Sequence, residues 1–371
     1  MPAVRPTTNP FARSPISGGG AGLAASDGVI VFHRKCLLMS RVSMLAAAAL
    51  LLTSCAASAA AGSEGAPQTV PAPPPNATSA SPSVRDGVAY SRLTIADGDQ
   101  PAIEAGVWWP AEASASPRPL IVISHGNGGD FRSHRDTVQA LAQAGFVVAA
   151  LTHTGDNWRD QSRATNVVDR TRQLSVLIDH MLGQWEGRAG IDARKVGAFG
   201  FSAGGFTVLA ASGGNPDLRR VVDHCRANPG FYDCRLISQH PEAMQARAQG
   251  AFPRLPHDAR IRALVVAAPA LGYTFTREGL VDVTQPVQLW QAGGDQILPS
   301  PFYAEPVRDG LPTVPEFRHV DGAGHFDFMP PCSTELAAAA PAICAPTPGF
   351  DRAAFHVVLN REVIRFFKTR F

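Results

Sequence analysis

Three short stretches of this chain carry side chains that could perform nucleophilic chemistry together. Gly200-Phe201-Ser202-Ala203-Gly204 lies directly after an apolar run and directly before a helical one. A serine on such a tight strand-to-helix turn is held in a strained conformation, and flanking glycines keep side chains away from the neighbouring backbone. Ser202 is the candidate nucleophile. A serine hydroxyl is a weak nucleophile near neutral pH, so it needs an imidazole base, and the imidazole needs a carboxylate to fix its tautomer. Gly322-Ala323-Gly324-His325 and Gly294-Asp295 offer these, each following its own apolar run. Asp321 and Asp327 also lie close to the histidine in sequence, but neither follows a preceding strand, and Asp295 is the expected partner. A tetrahedral intermediate further needs donors for its oxyanion. The loop Ser124-His125-Gly126-Asn127-Gly128-Gly129 and the residue after the serine are placed to give them: the backbone amides of Asn127 and Ala203 are the candidates, with Gly126 as the alternative to Asn127. His125 is expected to support the shape of this loop.

These groups meet only if the chain carries them to one edge. Gly87 to Ile95 and Ala102 to Trp109 are rich in β-branched and aromatic residues and read as an antiparallel opening pair around Ala96-Asp97-Gly98-Asp99. Continuous apolar strands follow at Pro119 to Ser124, Phe146 to Leu151, Lys195 to Phe201, Ile261 to Ala268, Val287 to Ala292 and Phe317 to Val320. Runs of that kind suit strands covered on both faces. Helical stretches at Asp136 to Ala144, Val167 to Trp185, Gly204 to Ala211 and Arg352 to Thr369 alternate with them. The pattern predicts an α/β domain over residues 85–371, a doubly wound, mostly parallel sheet. Ser202, Asp295 and His325 each follow a strand, so a parallel sheet would set all three along its carboxyl edge, where open α/β folds bind ligands. Residues 214–258 break the alternation and read as a polar, irregular, cap-like insertion lying over the sheet edge.

The N-terminal part has a different character. Met44 to Leu52 is a short apolar run preceded by Arg34, Lys35 and Arg41 and followed by Thr53-Ser54-Cys55. A basic flank, an apolar stretch and small residues describe a secretory signal, and the run is too short to span a membrane. Leu52-Thr53-Ser54-Cys55 resembles the lipobox of bacterial lipoproteins, which makes Cys55 the expected lipidation site and residues 1–54 an extension plus signal peptide. A translation start at Met39 is a further expectation. Residues 55–84, rich in Ala, Pro and Ser, cannot bury enough apolar surface to offset their ordering entropy and are expected to form a flexible tether. The chain is thus expected outside the cytoplasm, on the periplasmic or outer-membrane side, with its membrane contact through the lipid.

With these residues in view, the stretch from about Val88 to Phe371 resembles the serine α/β-hydrolases of the dienelactone hydrolase-like and platelet-activating-factor acetylhydrolase-like group. The resemblance is carried by Trp108-Trp109-Pro110, Ser124 to Gly129, His153-Thr154-Gly155-Asp156-Asn157, Gly200 to Gly205, Ala267 to Gly272 and His325 to Cys332. It implies an α/β-hydrolase fold, with Ser202, Asp295 and His325 as the triad and Asn127 and Ala203 as the oxyanion hole. The chain departs from true dienelactone hydrolases, which use a cysteine nucleophile, so carboxylic ester hydrolysis is the expected activity. Polyester hydrolysis or peptide hydrolysis on the same triad, or a non-catalytic binding lipoprotein on this scaffold, are the competing expectations. His153 to Asn157 could line the substrate pocket or merely shape a loop, and Trp108 and Trp109 read as core packing.

Composition narrows the partners. The 371 residues hold 45% hydrophobic and 17% charged side chains with a formal net charge of +2, enough apolar material for a large core and no basic excess of the kind nucleic-acid binding requires. A small-molecule or lipid ester is the expected partner. No zinc-ligand spacing, phosphate loop or dinucleotide fingerprint is present, and no cofactor is expected. In an exported chain Cys225, Cys234, Cys332 and Cys344 allow three pairings; the local one, Cys225 with Cys234 and Cys332 with Cys344, is expected.

Overall fold

The computed structural model describes residues 82–250 and 254–371. The expectations placed on residues 1–54, on lipidation of Cys55 and on nearly all of the tether lie outside the described residues. Among the described residues nine strands form one sheet in the order β1-β2-β3-β5-β4-β6-β7-β8-β9. β1 (Ser83–Arg85), β2 (Val88–Asp97) and β3 (Gln100–Pro110) open it as an antiparallel meander, and β3 pairs antiparallel with β5 (Val147–Leu151). From β5 onward every pairing is parallel, through β4 (Arg118–Ser124), β6 (Ile191–Phe201), β7 (Ile261–Ala267), β8 (Val287–Ala292) and β9 (Glu316–Val320). The doubly wound α/β sheet expected from the alternation is the one observed.

Several boundaries differ from the sequence reading, β6 by the most, since it starts at Ile191 rather than Lys195, and two others show their cause. The first strand starts at Ser83, two residues into the stretch assigned to the tether, because Ser83, Val84 and Arg85 pair with Tyr90, Ala89 and Val88. The opening hairpin turns more tightly than expected: Ala96 and Asp97 stay in β2, and Gly98, at φ +58°, makes the turn with Asp99.

Period-two alternation divides each central strand between two cores. Leu120, Val122, Val147 and Ala149 face one side, with α2 (Val167–Gly183) and α3 (Ala203–Ala211) packed there through Leu174, Leu177, Ile178 and Phe206. Ile121, Ile123, Val148 and Ala150 face the other, against Val138 and Leu141 of α1 (Arg135–Gln143) and Leu359, Val363 and Phe366 of α11 (Arg352–Arg370). Full burial of one such side chain contributes about 1.5–3 kcal/mol, so a strand covered on both faces has no side on which a polar residue would be cheap. This is why the strands read as continuous apolar runs. Helix starts carry their own signals: Asn166 accepts from the Asp169 amide, and Asp351 accepts from the Ala354 amide at 2.9 Å.

The insertion is more ordered than its composition suggests. It contains α4 (Arg220–Ala227), α5 (Tyr232–Ser238) and α6 (Pro241–Gln249), and it covers the carboxyl end of the central strands rather than an edge strand. Its apolar residues are few, but they converge: Val221 and Ile237 pack with Tyr273, Leu298 and Tyr303 of the body in a third small core. Disulfides join Cys225 to Cys234, tying α4 to α5, and Cys332 to Cys344. The remaining helices are short: α7 (Arg277–Leu280), α8 (Ala304–Gly310), α9 (Thr334–Ala339) and α10 (Pro341–Cys344). Among the described residues no helix is long and apolar enough to cross a membrane.

Candidate active site

The turn between β6 and α3 places Ser202 at φ +56°, ψ −119°, a left-handed conformation that a side-chain-bearing residue adopts only when its surroundings hold it. They do so here. The Ser202 amide donates to Ala267 O at 2.9 Å and its carbonyl accepts from the Ala270 amide at 2.9 Å, pinning the turn to the end of β7. The two glycines of the motif are required by backbone contact: a Cβ on Gly200 would lie 2.1 Å from Gly204 O, and one on Gly204 would lie 1.9 Å from Ser124 O.

Ser202, His325 and Asp295 form one hydrogen-bonded chain. His325 Nε2 lies 3.0 Å from Ser202 Oγ, and His325 Nδ1 lies 2.7 Å from Asp295 Oδ2. The other carboxylate oxygen, Oδ1, accepts from the amides of Ile297 at 2.9 Å and Leu298 at 2.7 Å, so the acid is held by the loop after β8 and cannot rotate freely. Since the carboxylate can only accept, His325 Nδ1 carries the proton and Nε2 is left to receive the one from Ser202. Histidine and aspartate are both buried, and Phe201 packs on the imidazole with ring centroids 4.8 Å apart. The two rival carboxylates are elsewhere. Asp321 is fully exposed and faces His319, while Asp327 accepts from Arg352 at 2.8 Å and from the Gly324 amide at 2.8 Å.

A cavity of about 70 Å³ opens beside Ser202. Asn127, Ala203 and Phe206 of the body line it together with Tyr232, Leu236 and Ile237 of the insertion. Ala203 is the first residue of α3, so its amide is one of the four that a helix leaves without an internal partner. The Asn127 amide meets no acceptor among the described residues. Gly126, the alternative donor, is not part of the cavity wall; its carbonyl accepts from the Gly129 amide and from His125.

The loops that carry Asn127 rest on a buried ion pair that the sequence reading did not single out. Arg170, on α2, donates through Nη1 to Asp156 at 2.6 Å, through Nη2 to His125 O, and through Nε to Thr207 at 3.0 Å. Asp156 returns the contact to the loop, accepting from Asn127 Nδ2 at 2.7 Å and from the Gly128 amide at 3.0 Å. Two charges this deeply buried are tolerable only as a pair with every donor and acceptor used. A signal was present: Val167, Arg170, Leu174, Leu177 and Ile178 follow helical spacing, and an arginine inside an inward stripe needs an anion. Burial pulls the Arg170 guanidinium below its usual range.

Burial also keeps the neighbouring histidines neutral. His125 is pushed down to about 4 by desolvation and then by the Arg170 charge, and His153 is lowered by the same two causes in the same order. Their hydrogen bonds fit that state. His125 donates through Nδ1 to Gly126 O and accepts the His153 amide on Nε2, and His153 spans Gln173 and Ser124 at 2.9 and 2.8 Å. His125 shapes the loop, as expected. The segment His153 to Asn157 does the same rather than line the cavity. Trp108 lies in the core and Trp109 packs on Trp185.

One trio, His224, Asp233 and Cys234, brings potential metal-ligand atoms within 4.8 Å of one another. Its chemistry does not fit a metal. Cys234 is spent in the disulfide, and Asp233 accepts from the hydroxyls of Tyr273 and Tyr303, each at 2.9 Å.

Parts of this chain are similar to known proteins. Residues 103–247 match the model of the dienelactone hydrolase family. Among solved structures, a dienelactone hydrolase-like promiscuous phosphotriesterase from metagenomic libraries superposes with a TM-score of 0.51 at 16% identity, over 77% of this chain and 99% of its own. A dienelactone hydrolase from Anabaena variabilis superposes with a TM-score of 0.48 at 14% identity, over 77% of this chain and 99% of its own.

Proposed function

We propose that the chain is a serine hydrolase acting on carboxylic esters through an acyl-enzyme, with Ser202, His325 and Asp295 as its catalytic triad. The observation that carries this reading is the continuous chain from Ser202 Oγ through His325 to Asp295, with the Asn127 and Ala203 residues in the wall of the same cavity. His325 Nε2 takes the proton of Ser202 as the oxygen attacks the ester carbonyl, and Asp295 stabilises the imidazolium that forms. The negative charge that develops on the carbonyl oxygen falls between the two backbone amides. His325 returns the proton to the departing alcohol, and a water activated by the same nitrogen then releases the acid. The match of residues 103–247 to a hydrolase family model supports the reading, and the largely apolar wall of the cavity suits the acyl part of an ester.

Replacement of Ser202 by alanine tests it. Ser202→Ala is expected to lower the rate on a p-nitrophenyl ester by several orders of magnitude with an unchanged melting temperature, and to abolish labelling by a fluorophosphonate. A variant that still turns over near the wild-type rate removes the assignment. A binding protein on this scaffold would fail to label at all.

The enzyme is further proposed to be exported and held to a membrane by lipid on Cys55. Support comes from the basic, apolar and small-residue order of the leader and from the two disulfides, which persist in oxidising compartments. Cys55→Ala expressed in a bacterial host is expected to shift the protein from the membrane fraction to the soluble one; retention in the membrane fraction would refute anchoring through Cys55.

A further inference from the structure

Among the described residues one side-chain hydrogen bond joins the insertion to the proposed oxyanion loop. Tyr232, the first residue of α5, donates its hydroxyl to Asn127 Oδ1 at 2.6 Å. The other end of the same carboxamide, Nδ2, donates to Asp156. Asn127 is thus gripped from two sides, by the body through Asp156 and Arg170 and by the insertion through Tyr232. The grip reaches both proposed oxyanion donors, because Thr207, which accepts from Arg170, itself donates to Ala203 O at 2.8 Å. Of these holders Arg170 and Asp156 are deeply buried, whereas Tyr232 is 36% exposed and belongs to the insertion.

Two features fix where that hydroxyl can be. The next residue, Asp233, is anchored by the Tyr273 and Tyr303 hydroxyls, and Cys234 is bonded to Cys225, so the first turn of α5 is tied to the body and to α4 at once. We propose that Tyr232 is a positioning residue for the oxyanion loop, and that the Cys225–Cys234 bridge acts on the rate through it by keeping the Tyr232 hydroxyl on Asn127. This rests on the ester-hydrolase reading above and deepens it: the insertion not only roofs the cavity but sets the aim of an amide that must meet charge only in the transition state. Loss of a whole oxyanion donor costs roughly 10²- to 10³-fold in kcat. Loss of one of two supports for such a donor should cost less, about tenfold.

The experiment compares wild type, Tyr232→Phe, the pair Cys225→Ser with Cys234→Ser, and the triple variant. Each is read by steady-state kinetics on p-nitrophenyl acetate, by the rate of fluorophosphonate labelling and by thermal melting. Tyr232→Phe is expected to lower kcat about tenfold with KM within threefold of wild type, to slow labelling by a similar factor, and to leave the melting temperature unchanged. The cysteine pair is expected to lower kcat by the same factor, and the triple variant to fall no further, because both changes release the same contact. A Tyr232→Phe variant with kcat within twofold of wild type overturns the proposal, as does a loss confined to KM. Additive losses in the triple variant overturn the link to the disulfide. Wild type that does not label at Ser202 would be a failure of the ester-hydrolase reading itself, a different result from any of these.

Discussion

Replacing Asp295 by asparagine separates the role of the carboxylate from that of its shape. Asp295 Oδ1 accepts two backbone amides, at 2.9 and 2.7 Å, and Oδ2 faces His325 Nδ1 at 2.7 Å. An asparagine has only one oxygen to share between these sites. Left on the two amides, it turns its NH₂ toward His325 Nδ1, which must then accept, so the proton moves to Nε2 and the ring can no longer take one from Ser202. In the flipped orientation the NH₂ would meet two amide donors and leave both buried and unsatisfied, at about 1–3 kcal/mol each. The first orientation wins, and the base is held in the wrong tautomer. In serine triads this change lowers kcat by about 10⁴, or about 5.4 kcal/mol at about 1.36 kcal/mol per tenfold. Steady-state hydrolysis of p-nitrophenyl acetate gives the rate, and thermal melting reports whether the fold is kept. Asp321→Asn, at a fully exposed side chain, is the control and should remain within twofold of wild type. An Asp295→Asn enzyme within tenfold of wild type, or an Asp321→Asn enzyme as damaged as Asp295→Asn, would refute the assignment of the carboxylate.

Two predictions concern the frame. Gly204→Ala would force a Cβ to within 1.9 Å of Ser124 O, a backbone atom that cannot turn aside, and should destabilise by about 4 kcal/mol or more; an unchanged urea midpoint would contradict the close packing of the turn. The buried histidines should make the fold acid-sensitive. His134, whose ring nitrogens meet no hydrogen-bond partner among the described residues, is pushed down to about 3 by burial, and His125 to about 4. Below the unfolded value of about 6.5 the unfolded chain binds more protons at these sites than the folded one. Stability is therefore fullest above pH about 6.5 and falls toward pH 4, by up to about 1.36 kcal/mol per pH unit for each histidine. His134→Leu should flatten that slope by one proton in urea titrations at pH 8 and pH 5; an equal gain or loss at both pH values would show that His134 does not contribute.

Much of the site was legible because its constraints are local. A serine on a strand-to-helix turn between glycines announces itself, since φ +56° and a 2.1 Å approach to backbone leave little choice of neighbours. Asp295 and His325 were legible through their place after strands, and the strands through apolar runs that two covered faces demand. Cys225 and Cys234 were paired by proximity in the chain. What escaped was non-local or hidden by composition. The helices of residues 214–250 looked irregular because their apolar stripe is short and its core is completed by Tyr273, Leu298 and Tyr303, which lie far away in sequence. Arg170 left a faint trace as a charge in an inward stripe, but its anion, Asp156, is 14 residues away on another element.

The sequence by itself determined the alternation of the central strands with their main helices, the strained turn and the chemical kinds of the candidate site residues, because these depend on spacing, backbone sterics and burial that neighbouring residues dictate. Only the tertiary structure decided which carboxylate His325 meets, which residues support Asn127, and that Tyr232 of the insertion closes on that loop. Those choices rest on hydrogen bonds across 30, 29 and 105 residues of chain, and no local rule fixes a distance between segments so far apart.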